Sequence, residues 1–148
     1  MRSYPRNSPE AAGRIVALVL MADGNVCRSE IDALDHHEAS RALGLAPGAM
    51  PRLLQELCED FVDGMCTTGS LLACLDDAAM AALLRDVDDT RLQREVLRVA
   101  RAAAAADRHL SDGESWVIDA IQRHWMIEDH VVAPVVPVHA AEHERLAA

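Results

Sequence analysis

The sequence contains no lysine: all 14 basic residues are arginine, against 24 acidic residues, which gives a formal net charge of −10. The lack of lysine excludes Schiff-base chemistry, a phosphate-loop lysine and a lysine general base. The negative charge repels phosphate backbones and anionic lipid headgroups, so neither nucleic acid nor a membrane surface is an expected partner. Cations and basic protein surfaces are the partners that this charge favours.

Aromatic residues make up only 3% of the chain, and seven glycines and six prolines are too few for a disordered chain or a β protein with many turns. The core must therefore consist of Leu, Val, Ile, Met and Ala, and the 26 alanines together with the leucines favour helices. A chain of 148 residues has the length of one domain. We expect an all-α, single-domain bundle of about six to eight helices.

No apolar run approaches the roughly 18 residues that a membrane-spanning helix needs, so we expect no direct membrane insertion. The run from Ile15 to Ala22 is short, acidic residues flank it and no cleavage site follows, which argues against a signal peptide. The four cysteines lack the C-x-x-C spacing of zinc sites. We interpret them as reduced and mostly buried residues of a cytoplasmic protein.

Signals for helix starts and ends divide the chain into successive helices. Ser8 and Pro9 form an N-cap and first-position pair that predicts a helix to about Met21, and its apolar run predicts burial on all sides. Ser111 and Glu114 form a capping-box pattern that predicts a helix through Trp125. Further helices are predicted over about residues 28–43, from the Pro47–Pro51 region to Gly64, and over 76–84 and 90–106.

The last part of the chain has a different composition. After Asp129 it is rich in Val, Pro and Ala, and its prolines exclude a long helix, so we predict a domain over residues 8–130 and a tail over residues 131–148. In the tail, His139 and His143 match H-x-x-E-H, the inverted zinc-peptidase motif, but only five residues follow it. Adventitious zinc or nickel binding explains this histidine pair better than a peptidase site.

The remaining polar residues give no support for catalysis. No serine lies in a nucleophile elbow or beside an oxyanion loop, so we expect no enzyme and no organic cofactor. His36 and His37 are interpreted as part of a solvated helix face. Trp116, His124 and Trp125 are interpreted as packing at the end of a helix.

The two halves of the chain carry the same pattern of acidic residues. Asp23 follows the first predicted helix and Asp107 follows the longest one. Seven residues after each aspartate comes a glutamate, Glu30 or Glu114, so the two pairs are separated by a constant offset of 84 residues. This internal repeat consists of a helix, an Ala-Asp step, a short loop and a glutamate in the first turn of the next helix.

Each of these acids also has a structural explanation. Glu114 fits a capping box with Ser111, whereas Cys27, the equivalent residue before Glu30, is a poor N-cap. The aspartates lie at C-terminal helix ends, where a negative charge opposes the helix dipole by about 0.3–1 kcal/mol. A loop hydrogen bond of the Asx type is the ordinary compensation, and a bound cation is the alternative.

The repeated motif resembles the TerB family of tellurite-resistance proteins and its wider group of TerB-like domains. The resemblance covers about residues 10–130 and includes the duplicated acids, the apolar helix before each copy and the leucine-rich middle of the chain. The motif residues are Ala22-Asp23-Gly24-x-Val26-x-x-x-Glu30-Ile31 and Ala106-Asp107-x-x-Leu110-x-x-x-Glu114.

The resemblance implies an all-α bundle built on a helical repeat, with Asp23, Glu30, Asp107 and Glu114 on one side as ligands of a divalent cation. Carboxylate oxygens suit Ca²⁺, Mg²⁺ or Mn²⁺, and Zn²⁺ is the further candidate. The implied role is that of a cytoplasmic, non-enzymatic binding module in bacterial stress or tellurite resistance, with membrane-associated protein partners. The alternative is a metal-independent adaptor whose acidic face meets a basic partner.

Overall fold

The computed structural model of the protein describes residues 2–22, 39–63, 75–105 and 111–127. Within these ranges the chain forms helices and no strand, which confirms the all-α prediction. The repeat's loops, the start of the second predicted helix and the tail boundary lie outside the described residues. The helices are α1 (Pro9–Leu20), α2 (Ala39–Ala42), α3 (Ala49–Asp63), α4 (Asp77–Leu84), α5 (Thr90–Ala104) and α6 (Asp112–Trp125).

Helix α1 is the centre of the bundle. Every residue from Ala11 to Leu20 is buried, and the helix packs against α3, α4, α5 and α6. Gly13 permits close packing of α1 against Leu53 of α3 and against Leu45, because a Cβ atom there would lie 2.7 Å from a Leu53 methyl and 2.8 Å from a Leu45 methyl. The predicted enclosure of the first helix on all sides is confirmed.

Helix starts follow the capping residues that the sequence contains. The side chain of each cap accepts a backbone N–H from the first turn of its helix, at 2.7–3.1 Å. After α2, Gly44 takes a positive φ of 74°, as expected for a glycine that ends a helix. The four caps are Ser8 for α1, Asp76 for α4, Asp89 for α5 and Ser111 for α6.

A buried ion pair interrupts the apolar surface of α1. Arg14 is only 3% exposed and pairs with Asp60 of α3, which is 9% exposed. Asp60 also accepts the backbone N–H of Arg2 at 2.9 Å, and the Arg14 guanidinium lies 5.4 Å from the ring centre of Tyr4. The segment before α1 therefore fastens α1 to α3 through charged and aromatic groups.

Asn7 fastens the same segment to the connection between α4 and α5. It takes a left-handed backbone conformation with φ 57°, and its N–H donates to the carbonyl of Asp86 at 2.7 Å. Its side-chain oxygen accepts the N–H groups of Asp88 and Asp89 at 2.9 and 3.0 Å, and its amide nitrogen donates to the Asp88 carboxylate at 2.6 Å. A single side chain thus orders the residues that lead into α5.

Two expectations about side-chain burial are wrong, those for Trp116 and His124. Of the four cysteines, Cys58 alone lies within the described residues; it is a free thiol on the exposed side of α3, and its sulfur is 3.8 Å from that of Met21. The burial of the other three stays a prediction. Trp116 and His124 are exposed: Trp116 lies on the side of α6 away from the buried Ile121, and His124 lies in the last turn of the helix. The third residue of that predicted cluster, Trp125, does pack inward and donates its indole N–H to the carbonyl of Leu84 at 3.4 Å.

The membrane prediction concerns helix length and hydropathy. In the described part of the chain, every helix is either too short or too polar to cross a bilayer.

Candidate metal centre

Of the four predicted ligands, one lies within the described residues. Glu114 is the third residue of α6. Asp23, Glu30 and Asp107 lie outside the described residues, so the convergence of the four carboxylates stays a prediction. The structure does show the helix ends that lead into both aspartates and the capping box of Glu114.

Glu114 and Ser111 form the capping box that the sequence predicts. The Glu114 N–H donates to the Ser111 hydroxyl at 3.1 Å, and the Ser111 N–H donates to Oε2 of Glu114 at 2.8 Å. These reciprocal bonds satisfy two backbone donors at the start of α6. They also fix the orientation of the carboxylate, since one of its oxygens is held by the backbone.

The second oxygen of this carboxylate has no such role. Glu114 is 2% exposed, and its Oε1 has no hydrogen-bond partner among the described residues. A buried polar atom without a partner costs on the order of 1–3 kcal/mol, and more when the group carries charge. The capping box therefore accounts for one oxygen of the Glu114 carboxylate, and no described residue bonds to the other.

The helix ends that precede the two predicted aspartates have the same geometry. The C-cap of α1 is Met21, with φ −86° and ψ −3°, and the C-cap of α5 is Ala105, with φ −84° and ψ −4°. Each C-cap N–H donates to the carbonyl four residues earlier, at 3.1 and 3.0 Å. The two caps are 84 residues apart, which is the offset of the acidic motifs.

In the sequence, Asp23 and Asp107 each follow a C-cap by two residues. The negative pole of each helix dipole lies there, so a carboxylate at this step is unfavourable unless a donor or a cation offsets it. The similarity of the two segments is limited to their helix ends. The helices differ in length, with 12 residues in α1 and 15 in α5, and the loops that follow lie outside the described residues.

The described residues include no group of three or more His, Cys, Asp or Glu side chains placed to hold a metal ion. Because three of the four predicted ligands are not among those residues, this result concerns other parts of the surface. Elsewhere, a shallow depression of about 460 Å³ lies along α6, lined by Asp119, Gln122, Arg123, Met126 and Ile127. The sequence did not predict this depression. The one indication of it in the sequence is that three lining residues, Asp119, Gln122 and Met126, follow one another at i, i+3 and i+7.

No protein-family model, curated protein sequence or solved structure matches this chain.

Proposed function

We propose that the protein is a non-enzymatic, acidic binding module of the TerB-like kind that binds a divalent cation through Asp23, Glu30, Asp107 and Glu114. The observation that carries this proposal is the buried Oε1 of Glu114, a carboxylate oxygen without a hydrogen-bond partner in the described part of the chain. A metal ion satisfies such an oxygen at no cost to the capping box. The Ser111 N–H donates to the other oxygen, Oε2, and this bond would orient the carboxylate of Glu114 as a metal ligand.

The repeated geometry of the helix ends supports the other half of the proposed ligand set. Met21 and Ala105 end their helices with nearly identical dihedral angles, and each precedes its aspartate by two residues in the sequence. Two carboxylates at equivalent and electrostatically unfavourable steps are explained together by one cation. The net charge of −10 adds a favourable long-range field for that cation.

The ligand set consists of carboxylates, which favour a hard cation such as Ca²⁺, Mg²⁺ or Mn²⁺ over Zn²⁺. The cellular role that we propose is bacterial stress or tellurite resistance in the cytoplasm, with protein partners associated with the membrane. This role rests on the resemblance of the repeated motif to TerB.

The proposal is tested by titration calorimetry of the full chain with each of the four cations. Glu114→Gln is the informative variant, because glutamine preserves the capping box and removes the charge. It should weaken binding about tenfold or more, as should Asp23→Asn combined with Asp107→Asn. Glu10→Gln is the matched control, since Glu10 is also an acid in the first turn of a helix and should leave binding unchanged.

Zinc requires one further control, because His139 and His143 are an independent chelating pair. Zinc titrations should therefore also be made on the His139→Ala/His143→Ala variant. Binding of no cation by the wild-type chain contradicts the proposal, and so does binding that Glu114→Gln and the aspartate variants leave unchanged.

The second candidate is a metal-independent protein adaptor, and the capping box is the observation that favours it, since it gives Glu114 a structural role. In that case the acidic surface binds a basic partner directly. Capture of a partner that survives both a chelator and the double aspartate substitution supports the adaptor, whereas loss of capture under either condition supports the cation site.

A further inference from the structure

Two large apolar side chains are exposed at the outer side of α6: Trp116 in its second turn and Met126 at its C-cap. Trp116 is 44% exposed and Met126 is 88% exposed, and among the described residues only Val62, on α3, is a comparable exposed apolar residue. Asp119 and Arg123 lie between them at helical spacing, so the four residues follow one another at i, i+3, i+7 and i+10. This alternation of three and four residues places Trp116, Asp119 and Arg123 on one side of α6, with Met126 at its end.

The two charges on this face are unpaired. Asp119 and Arg123 are four residues apart on the same helix, where an ion pair is common, yet neither makes an ion pair or a side-chain hydrogen bond within the described ranges. Both line the depression of about 460 Å³, next to Met126. This face thus presents one acidic, one basic and two apolar side chains that are exposed to solvent in the described part of the chain.

The order of these residues is symmetric about the middle of the face. When a second α6 lies antiparallel across the first, with a twofold axis between Asp119 and Arg123, Asp119 of each copy faces Arg123 of the other. The same register places Trp116 of each copy opposite Met126 of the other. Opposite charges meet at the centre and a sulfur–aromatic pair forms at each end, a contact that proteins use frequently.

We propose that this face is the interface of a homodimer in which the α6 helices of two copies pack antiparallel about a twofold axis. A twofold interface must be self-complementary, and the spacing of these four residues meets that requirement. Trp116 and Met126 are ten residues apart, about 15 Å along a helix, which is a contact of roughly three turns. Interfaces of this length are small, so the dimer is weak and reversible.

The test is sedimentation velocity of the full chain from about 1 µM to about 1 mM, a range that covers weak association. The wild-type chain should shift from monomer to dimer across this range. Asp119→Arg alone and Arg123→Asp alone each place like charges opposite one another and should weaken the dimer about tenfold or more. The double exchange, Asp119→Arg with Arg123→Asp, restores opposite charges at wild-type net charge and should restore the dimer.

Met126→Asn tests the apolar part of the face, since asparagine tolerates the left-handed backbone of this residue, at φ 53°. It should also weaken the dimer. Val62→Asn is its matched control, and Arg91→Asp, at another exposed arginine, is the control for Arg123→Asp; both should dimerise as the wild type does. All of these side chains are exposed, so circular dichroism should show the wild-type fold.

Three results would each overturn the proposal. The first is a wild-type chain that stays monomeric across the whole range. The second is single charge reversals that dimerise as tightly as the wild type. The third is a double exchange that remains as weak as the single reversals, because the predicted register then fails.

Discussion

Loss of the Asp60 carboxylate should be the most damaging single change of charge in the described part of the protein. Asp60→Asn keeps the shape of the side chain but leaves the Arg14 guanidinium, 3% exposed, without a counter-charge. Among the described residues, the guanidinium then keeps the carbonyl of Arg2, the ring of Tyr4 and the neutral amide oxygen of Asn as partners, and none of them carries a negative charge. Removal of one partner from a buried ion pair costs about 3–5 kcal/mol.

Arg14→Met should cost less, because Asp60 has a second source of positive charge. The backbone N–H of Arg2 stays 2.9 Å from Oδ2 of Asp60. The Arg2 guanidinium, which reaches solvent, stays 3.6 Å from Oδ1 of Asp60. We expect a loss of about 1–3 kcal/mol for this variant. The double variant should lose less than the sum of the two, since the second substitution removes the charge that the first leaves unpaired.

Urea unfolding followed by circular dichroism measures these free energies, with a changed midpoint at an unchanged slope as the mark of a stability effect. Glu59→Gln is the control: Glu59 also pairs with Arg2, at 2.6 Å, but on the surface, where such pairs contribute about 1 kcal/mol or less. The reasoning is refuted if Asp60→Asn costs no more than Arg14→Met, or if the losses of the two single variants add in the double variant.

The remaining predictions concern the segment before α1. Asn7→Gly keeps the left-handed backbone but removes the side-chain bonds to Asp88 and Asp89, so hydrogen exchange at the first amides of α5 should accelerate; unchanged exchange would show that Asn7 does not order this connection. Burial, with a hydrogen bond to Glu56, raises the pKa of Tyr4 to about 12. Because the pKa of Tyr4 in the folded chain exceeds the ordinary value of 10, its protonated hydroxyl stabilises the fold fully below pH 10. This stabilisation is lost as the pH rises towards 12. Tyr4 is the only tyrosine, so its ultraviolet titration is unambiguous, and a midpoint near pH 10 would contradict the assignment.

Helix starts were predictable from the sequence because capping is a local interaction. Ser8, Asp76 and Ser111 each act through a bond to an amide three residues away, so the sequence alone contains both partners. The enclosure of α1 was also predictable, since its apolar run leaves no face for water. Long alanine and leucine segments leave few alternatives to a helical bundle.

Contacts between distant residues were not predictable in this way. Nothing in the spacing of Arg14 and Asp60 indicates that they meet, and Arg14 within an apolar helix looks like an exposed charge until α3 packs beside it. Asn7 likewise bonds to residues more than 80 positions away. The prediction that Trp116 packs at the end of a helix is wrong, because the position of Trp116 on the outer side of α6 decides its exposure.

In the candidate metal centre too, local interactions were predictable from the sequence and contacts between distant residues were not. The capping box of Glu114 was visible in four consecutive residues, but the unpartnered state of Oε1 depends on which groups surround it in the folded chain. The matching C-caps at Met21 and Ala105 were implied by the offset of 84 residues between the acidic motifs. Whether Asp23, Glu30 and Asp107 meet Glu114 depends on two loops that lie outside the described residues.

The most direct test of the cation site is a crystal structure of the full chain grown with Mn²⁺, with the metal located by its anomalous scattering. The proposal predicts a single strong peak about 2.0–2.6 Å from Oε1 of Glu114, with carboxylate oxygens of Asp23, Glu30 and Asp107 in the same coordination shell. An anomalous map with no peak at Glu114, or with manganese held only by His139 and His143, would contradict it.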